Sequence, residues 1–338
     1  MSENITVSSA PHISKPLSTR TVMIDVIIGL IPAMAAAGYY FRIYALILIP
    51  TCVISAVATE WLCNIIRKKP NSLGDFSAVV TGIILALSLP PSLPVWAAII
   101  GSVFAVAIGK MVFGGLGANI FNPAMVGRAF LTASFSMIMT TWTVPATIDA
   151  KMPKIAPENM LHTRTQATPL WWSKKAIEDK NGAKIYNEQQ FRATFTGEVG
   201  GCLGETSTIA LLIGGLYLLI RRTINPSLPL AVLISAFIFA TIVYLIDSDA
   251  YVQPVFHLTS GAMLLCAFFI ATDPVTAPLT TKGMWIFGIG VGIITMLIRI
   301  VGKYQEGVMY AVLLMNAITP LIDRFCKLVP SGGKPSVK

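Results

Sequence analysis

Charged residues are scarce in this sequence of 338 residues. Only 12% of the residues are Asp, Glu, Lys or Arg, whereas 54% are hydrophobic. Soluble domains carry about a quarter charged residues, so this composition excludes an ordinary soluble domain and indicates a membrane protein with several spans. The formal net charge of +9 does not indicate a nucleic-acid partner. The basic residues lie in short loops between apolar runs, where Lys and Arg set the topology.

Metal-binding and disulfide patterns are also missing. The five cysteines are odd in number and have no CxxC spacing, and the three histidines are far apart in the sequence. This pattern argues against a disulfide framework, a zinc site, an iron–sulfur cluster or a haem pair on this chain. If the protein transfers electrons, we expect an organic cofactor. The residues concerned are Cys52, Cys63, Cys202, Cys266, Cys326, His12, His162 and His257.

The sequence does contain ten apolar segments, each near the length that crosses a bilayer as a helix. They predict an all-α polytopic membrane protein with about ten transmembrane helices. The third segment ends in Pro90-Pro91 and the eighth ends at Asp273-Pro274. Such breaks must be buried in protein or line a cavity, because lipid cannot satisfy open backbone groups. The segments are 22–41, 43–66, 76–91, 94–113, 118–138, 203–221, 228–246, 256–272, 283–301 and 307–326.

Basic residues are concentrated in every second loop, which predicts the orientation of the chain. Cytoplasmic loops carry the excess of Lys and Arg, so both termini are expected in the cytoplasm. The long polar insert then lies on the periplasmic or extracellular face, and Arg299 and Lys303 are exceptions on that outer side. The basic residues on the predicted inner side are Lys15, Arg20, Arg67, Lys68, Lys69, Lys110, Arg221, Arg222, Arg324, Lys327, Lys334 and Lys338.

The two groups of five segments resemble each other. The stretch that starts at Gly82 is similar to the stretch that starts at Gly261. Five spans per repeat is an odd number, so two repeats would run in opposite directions through the membrane, and such repeats place binding sites near broken helices. Shared membrane-helix composition is the alternative explanation. The predicted boundaries are a cytoplasmic segment 1–21, a first transmembrane repeat 22–138, an extracytoplasmic loop 139–202, a second repeat 203–326 and a cytoplasmic tail 327–338.

The fifth segment carries two amides in the run Gly-Gly-Leu-Gly-Ala-Asn-Ile-Phe-Asn-Pro-Ala. Asn119 and Asn122 are three residues apart, which would place them on one face of a helix. Amides inside a membrane need partners, either another helix or a polar ligand such as a flavin ring. Helix–helix hydrogen bonding is the commoner case, and the glycines also suit close helix packing. They do not form a Rossmann fingerprint, because no strand precedes them.

Four acidic residues lie within or at the ends of apolar segments: Asp25, Glu60, Glu205 and Asp273. Carboxylates are costly in lipid, and they commonly mark ion or proton paths. Asp25, Glu60 and Glu205 are therefore candidates for an ion pathway. Asp25 and Glu60 would alternatively be solvated at the cytoplasmic interface, and Glu205 would alternatively cap the helix of segment six.

The segment 163–170, Thr-Arg-Thr-Gln-Ala-Thr-Pro-Leu, lies in the one long polar interruption of the apolar chain. It is similar to the [Ser/Thr]-Gly-Ala-Thr pattern at which a flavin transferase attaches FMN to threonine through a phosphoester bond. Such attachment requires a hydroxyl on an exposed, flexible stretch beside a small residue. Ala167 is the small neighbour of Thr168, and Pro169 favours an extended backbone at Thr168.

Further runs carry a resemblance that covers essentially the whole chain. They are the start of the chain at 9–26, the Gly-Gly-Leu-Gly-Ala-Asn-Ile-Phe-Asn-Pro-Ala run, Ala-Thr-Pro-Leu, Gly-Glu-Thr-Ser and Ala-Thr-Asp-Pro-Val-Thr-Ala-Pro. Together they resemble the RnfD family, the D component of the Rnf ion-translocating oxidoreductase, which is related to the B component of the sodium-pumping NADH:quinone oxidoreductase. Gln166 stands where this family usually has glycine, and His162 stands where it usually has an acidic residue.

The resemblance implies an electron-carrier subunit of a bacterial inner-membrane complex that couples ferredoxin:NAD⁺ electron transfer to Na⁺ or H⁺ movement. It implies FMN covalently bound to Thr168, within a motif that includes Thr165 and Ala167. It also implies non-covalent riboflavin at Asn119 and Asn122, with Asp273 nearby. The implied partners are the other Rnf subunits, including iron–sulfur subunits and a second subunit that carries flavin, together with the flavin transferase and membrane lipid.

Two other functions fit the residues taken alone. Inverted repeats, broken helices and intramembrane carboxylates would equally describe a secondary transporter or channel for a small polar solute. In that case the outer loop is a lid and its threonine motif is incidental. A structural scaffold for redox partners is the third possibility, and it predicts neither a flavin nor solute flux.

Overall fold

The computed structural model describes residues 18–70, 72–143, 145, 168–179, 188–302 and 304–327. The helix and strand elements assigned within these ranges are all helices, which confirms the helical prediction for the described part of the chain. Several predictions lie outside these ranges: Thr165, Ala167, Lys303, most of the N-terminal segment and most of the C-terminal tail.

The first half contains six helices. They are α1 (Thr19–Phe41), α2 (Ile43–Ile66), α3 (Ser77–Leu87), α4 (Val95–Val106), α5 (Pro123–Ser134) and α6 (Ser136–Met139). A short 3₁₀ turn at Leu73–Asp75 precedes α3, and a π-helical turn at Ala107–Met111 continues α4.

The remaining described helices begin within the polar insert. They are α7 (Pro169–Asp179), α8 (Glu188–Thr196), α9 (Thr208–Ile220), α10 (Ser227–Ile246), α11 (Pro254–Thr259), α12 (Met263–Leu265), α13 (Thr281–Ile300) and α14 (Val308–Phe325). A π-helical turn at Cys266–Ile270 continues α12.

Each of the ten apolar segments contains a helix. Five helices are long and apolar enough to cross a membrane by their length and composition, namely α1, α2, α10, α13 and α14. Helices α3, α4 and α9 are apolar but shorter. These observations support a multi-pass membrane protein, while the count of ten spans stays a prediction.

The fifth segment begins as a helix later than its hydropathy suggests. Asn122 is the N-cap of α5, and its Oδ1 accepts hydrogen bonds from the backbone of Ala124 and Met125 at 3.1 and 3.3 Å. Pro123 occupies the first helical position, where its missing N–H has no cost. Asn119 therefore lies in the preceding loop, so the prediction that both asparagines share a helical face is wrong.

The glycines before Asn119 also have a different role from the expected close helix packing. Gly114, Gly115 and Gly117 all have positive φ angles, of 137°, 110° and 92°. Residues with a Cβ rarely adopt this region, so these glycines shape a loop rather than a helix contact. The loop carries the chain from the π-helical end of α4 back to the start of α5.

The eighth segment is interrupted inside the protein. Helix α11 ends at Thr259, and Gly261 turns the chain with a φ of 67° before α12 begins. The carboxylate of Glu306 accepts a hydrogen bond from the freed backbone N–H of Ala262 at 3.0 Å. The break is thus satisfied by protein groups, as a helix break at membrane depth requires.

The helices pack in a similar order in the two halves. Helix α2 contacts α3 and α4, and α10 correspondingly contacts α11 and α13. Helix α4 then packs on α5, as α13 packs on α14. The halves meet where α1 crosses α9, and the crossing is so close that a Cβ at Gly214 would overlap the carbonyl of Gly29.

Candidate functional site

Two polar sites of the bundle adjoin cavities, and no described residue lines both. The first is a cleft lined by Lys110, Asn119, Asn122 and Asp273, which we call the asparagine pocket. The empty space between these residues, counted together with its opening to solvent, is about 560 Å³. The structure thus brings together the three residues that the resemblance associates with riboflavin, although they come from distant parts of the chain.

The asparagine pocket presents one buried acceptor that the protein leaves unused. Asn122 Nδ2 donates to the Ile270 carbonyl at 3.2 Å, which links α5 to the π-helical turn after α12. Asn119 Nδ2 donates to the Phe121 carbonyl at 3.2 Å. The Asn119 Oδ1 atom is buried and has no hydrogen-bond partner among the described residues. A buried amide oxygen without a partner is costly, which suits a ligand that supplies a donor.

Asp273 lies at the other side of this pocket, in the turn that follows segment eight. Its carboxylate accepts hydrogen bonds from Val275 N at 3.3 Å and from Thr276 Oγ1 at 3.1 Å. Burial raises the pKa of Asp273, while these two hydrogen bonds and the nearby Lys110 act in the opposite direction. The carboxyl is therefore held in a fixed orientation at the wall of the pocket.

Lys110 is the residue of this site that the sequence analysis missed. We interpreted it as a topology charge, but its side chain is only 1% exposed and lines the pocket. Its Nζ forms an ion pair with Glu60 Oε2 at 2.7 Å and donates a hydrogen bond to Ser77. Opposite charges in apolar segments two and four were the available signal, because each would be costly in lipid without the other.

Glu60 and Asp25 are both buried, so the alternative that they are solvated is wrong. Glu60 is 0% exposed and is held by Lys110 and by a hydrogen bond from Ser72. Asp25 accepts hydrogen bonds from Thr223 Oγ1 at 2.9 Å and from the Tyr217 hydroxyl at 3.2 Å. Arg221, whose side chain is largely exposed, lies 3.4 Å from the same carboxylate. Asp25 thus fastens α1 to the end of α9.

The second polar site surrounds Thr168, and we call it the threonine pocket. Its cavity volume is about 380 Å³, and its lining includes Thr168, Glu205, Ser260, Gln305 and Glu306. It joins the start of α7 to the loops before α9, α12 and α14. The residues come from the polar insert and from the second repeat.

Thr168 is buried, not exposed as the sequence analysis expected. Its side chain is 5% exposed, and its Oγ1 donates to Gln305 Oε1 at 3.2 Å. The same oxygen accepts a hydrogen bond from Trp171 N at 3.2 Å, so Thr168 caps the start of α7. Burial of Leu170 and Ala176 fixes α7 against the bundle, and this packing draws Thr168 inward.

Arg299 and Glu306 form a buried ion pair beside Thr168, with Arg299 Nη2 3.1 Å from Glu306 Oε1. Arg299 also donates to the carbonyls of His257 at 2.6 Å and Ser260 at 3.1 Å. Burial raises the pKa of Glu306, but Arg299 and Arg128 more than offset it, so this pKa lies below the usual value for glutamate. Arg299 did not fit the loop-charge pattern because it forms a buried ion pair inside the protein and does not lie in a loop that sets the topology.

Arg128 and Glu205 form the second ion pair of this region, at a distance of 3.5 Å. Arg128 Nη1 has no hydrogen-bond partner within the described ranges. Glu205 does not cap its helix, because Ser207 is the N-cap of α9 and accepts from Ala210 N at 3.3 Å. The capping interpretation of Glu205 is therefore wrong.

We expect Arg299→Lys to lower the free energy of unfolding by about 2 kcal/mol, because charge-assisted hydrogen bonds are lost. A lysine carries one compact ammonium and cannot reproduce the planar fork that reaches Glu306 and two carbonyls at once. Thermal unfolding of the detergent-purified chain measures the change. Arg324→Lys on the exposed end of α14 is the matched control and should change little. Equal effects of the two substitutions would show that the fork is not structural.

Comparison of the sequence with known proteins finds one matching family and several similar chains. A family model described as the NQR2, RnfD, RnfE family matches residues 6–332. The chain is 46% identical over 326 residues to the D component of the Na(+)-translocating ferredoxin:NAD(+) oxidoreductase complex of Acetobacterium woodii, covering 96% of this chain and 94% of that protein. It is 41% identical over 336 residues to the D component of the proton-translocating ferredoxin:NAD(+) oxidoreductase complex of Clostridium ljungdahlii, covering 97% and 96%. It is 38% identical to the D component of the ion-translocating oxidoreductase complex of Mannheimia succiniciproducens, covering 95% and 96%.

Proposed function

This chain belongs to the NQR2, RnfD, RnfE family, and from this premise we propose that it is the electron-carrying D component of an ion-translocating ferredoxin:NAD⁺ oxidoreductase complex. The observation that carries the proposal is the match to the D components of such complexes over nearly the full length of both chains. It works with the other subunits of that complex rather than as a complete enzyme. The two most similar relatives named above differ in their ion, Na⁺ in one and H⁺ in the other, so similarity does not choose between them.

The arrangement in the membrane that we propose has ten spans in two inverted repeats. The matching order of helix packing in the two halves supports it. Both termini then lie in the cytoplasm, and Thr168 lies on the outer face of the bacterial inner membrane. In this arrangement the asparagine pocket lies toward the cytoplasm, so the two pockets are at opposite faces.

Thr168 is the proposed attachment point of covalent FMN. The resemblance of residues 165–169 to the transferase pattern and the place of the hydroxyl in a cavity of about 380 Å³ support this assignment. The hydroxyl is buried once α7 is packed, so a flavin transferase must meet it before α7 docks or while α7 is displaced. Lys174 contributes to that docking, since its Nζ donates to the Gly302 carbonyl at 2.7 Å.

The asparagine pocket is the proposed site of non-covalent riboflavin. Asn119 Oδ1 lies at this pocket as a buried acceptor without a hydrogen-bond partner among the described residues, and a ligand donor would satisfy it. Asn122 and Asp273 fix the walls through their backbone contacts. Lys110 also lines the pocket, where its charge is balanced by Glu60.

A bound flavin supplies one-electron chemistry, and the protein supplies position and electrostatics. Carriers in both pockets would let this chain pass electrons between the two membrane faces. Asp25, Glu60 and Glu205 remain the proposed ion-pathway residues. Each is held by its own partners, and the three clusters share no residue, so any ion path through all three needs additional groups.

The test of this function is Thr168→Ala in the full chain produced together with the flavin transferase. The wild-type band should fluoresce on a denaturing gel and carry the added mass of FMN, because the phosphoester survives unfolding. Thr168→Ala should lose both signals completely. Thr163→Ala is the matched control, because Thr163 precedes the motif, and it should keep them. Flavin fluorescence that persists on Thr168→Ala would overturn the assignment.

Intact mass also separates this function from the alternatives. An unmodified wild-type chain, purified with an active transferase, would favour a secondary transporter of a small polar solute or a scaffold. Solute flux into vesicles would then distinguish these two. Covalent FMN on the wild-type chain supports the electron carrier.

A further inference from the structure

A third cavity lies next to the threonine pocket and has different chemistry. Trp142, Tyr304, Tyr310, Met309 and Arg128 contribute to its walls, and we call it the aromatic groove. Its cavity volume is about 670 Å³. The groove lies between α5 and the start of α14, which pack against each other. The rings of Tyr304 and Tyr310 have their centres 5.2 Å apart and are tilted by 43°.

The groove and the threonine pocket are adjacent, because Trp142, Gln305 and Glu306 line both. Gln305 is also the hydrogen-bond partner of the Thr168 hydroxyl, at 3.2 Å. A group attached to Thr168 Oγ1 therefore begins at the wall that separates the two cavities. A flexible chain as long as the phosphoribityl arm of FMN reaches from there into the groove.

The threonine pocket itself suits the ring poorly. It is the smaller cavity, and the carboxylates of Glu205 and Glu306 line it. The aromatic groove offers instead flat apolar faces on which a planar ring stacks, together with a thioether from Met309.

Arg128 supplies the polar contact that such a ring needs. It is 5% exposed, and it is the one basic residue among those that line the groove in the described part of the chain. Nη2 lies 3.5 Å from Glu205 Oε1, whereas the buried Nη1 has no hydrogen-bond partner among the described residues. A buried guanidinium N–H without an acceptor is costly, so a ligand acceptor at this point would stabilise the site.

We propose that the aromatic groove binds the isoalloxazine ring of the FMN carried by Thr168, with Arg128 donating to the acceptor edge of the ring. This inference rests on the proposed function. Tyr304, Tyr310 and Trp142 hold the ring by stacking, and the groove limits its motion. Arg128 stabilises negative charge on the reduced ring and so raises the reduction potential of the covalent flavin.

The test is the native fluorescence of the covalent flavin in the full chain in detergent. Tyrosine and tryptophan rings quench a stacked flavin, so the wild type should be strongly quenched and show high anisotropy. Subtraction of the Thr168→Ala signal removes any flavin bound elsewhere. Replacing Trp142, Tyr304 and Tyr310 together by leucine should raise the native fluorescence several-fold and lower the anisotropy, while the denaturing-gel signal stays unchanged.

Trp285→Leu is the matched control, because Trp285 lies in a different groove between α10 and α13. It should leave both the native quenching and the gel signal unchanged. Tyr304 is 56% exposed in a loop, so its replacement should not prevent folding. A wild type without gel fluorescence overturns the proposed function. Gel fluorescence with native quenching that the triple aromatic replacement does not alter overturns the groove and leaves the attachment site intact.

A second readout addresses Arg128 itself. Arg128→Met combined with Glu205→Gln removes the cation without leaving its partner carboxylate buried and unpaired. The reduction potential of the covalent flavin should become more negative in this double variant than in Glu205→Gln alone. An unchanged potential, with the gel signal preserved, would show that Arg128 does not face the ring.

Discussion

Lys110→Met is expected to lower the free energy of unfolding by about 3–5 kcal/mol, because removal of one partner leaves a buried charge uncompensated. The remaining charge is the Glu60 carboxylate, which is 0% exposed and among the described residues keeps only its hydrogen bond from Ser72. Ser77 also loses the contact with Lys110 Nζ. The loss should appear as a lower Tm of the detergent-purified chain.

The double variant Glu60→Gln with Lys110→Met should recover most of this loss. It removes both charges, so no ion is left in the interior, and replacement of a buried pair as a whole is often neutral. Lys69→Met is the matched control, because Lys69 is an exposed basic residue of the neighbouring loop and makes no described side-chain contact. If Lys110→Met costs no more than Lys69→Met, the ion pair does not stabilise the fold.

This ion pair also shows what hydropathy alone could not predict. The sequence places Glu60 and Lys110 in separate apolar segments, 50 positions apart. Their pairing depends on how α2 packs against the end of α4, which is a property of the folded bundle. The count of basic residues in loops identified Lys110 as a charge that marks the cytoplasmic side, because this count treats every charge as exposed. Only a pairwise comparison of charges inside apolar segments would have indicated the pair.

Helices were predicted more reliably than the boundaries between them. A chain in lipid must satisfy its backbone within the segment, so each long apolar run had to contain helix. The start of α5 was missed because the predicted apolar segment 118–138 includes Asn119 and Asn122 without a break. The local signal was present, since Asn followed by Pro is typical of an N-cap and a first helical position.

The attachment site at Thr168 was predicted from a short motif. Such a motif indicates which reaction a residue undergoes, but it does not indicate whether its side chain is buried. The partner of its hydroxyl, Gln305, lies 137 positions later in the chain. The amphipathic helix α7 begins directly after Thr168 and packs on the bundle, and this packing converts an expected surface hydroxyl into a buried one. The aromatic groove was not predicted for the same reason, because its walls come from both halves.

The two asparagines of the asparagine pocket should respond differently to substitution. Asn119→Leu should reduce the extractable flavin of the purified chain by about tenfold or more, because one lost hydrogen bond to a buried group is worth about 1.4 kcal/mol or more. Its effect on Tm should be small, since Asn119 gives the protein only one hydrogen bond at 3.2 Å and its Oδ1 gives none among the described residues. Acid extraction and quantification of free riboflavin measure the flavin content.

Asn122→Ala is the contrasting variant, because Asn122 is tied to the fold rather than left open for a ligand. It caps α5 through Ala124 and Met125, and it satisfies the Ile270 carbonyl. Loss of an N-cap costs about 1 kcal/mol, and the unsatisfied carbonyl adds to it, so Tm should fall clearly. Covalent flavin on Thr168 should persist in both variants, which shows that the chain still inserts and is modified. Full retention of extractable flavin in Asn119→Leu would contradict a ligand contact at Asn119, whereas its loss at nearly unchanged Tm would separate cofactor binding from stability.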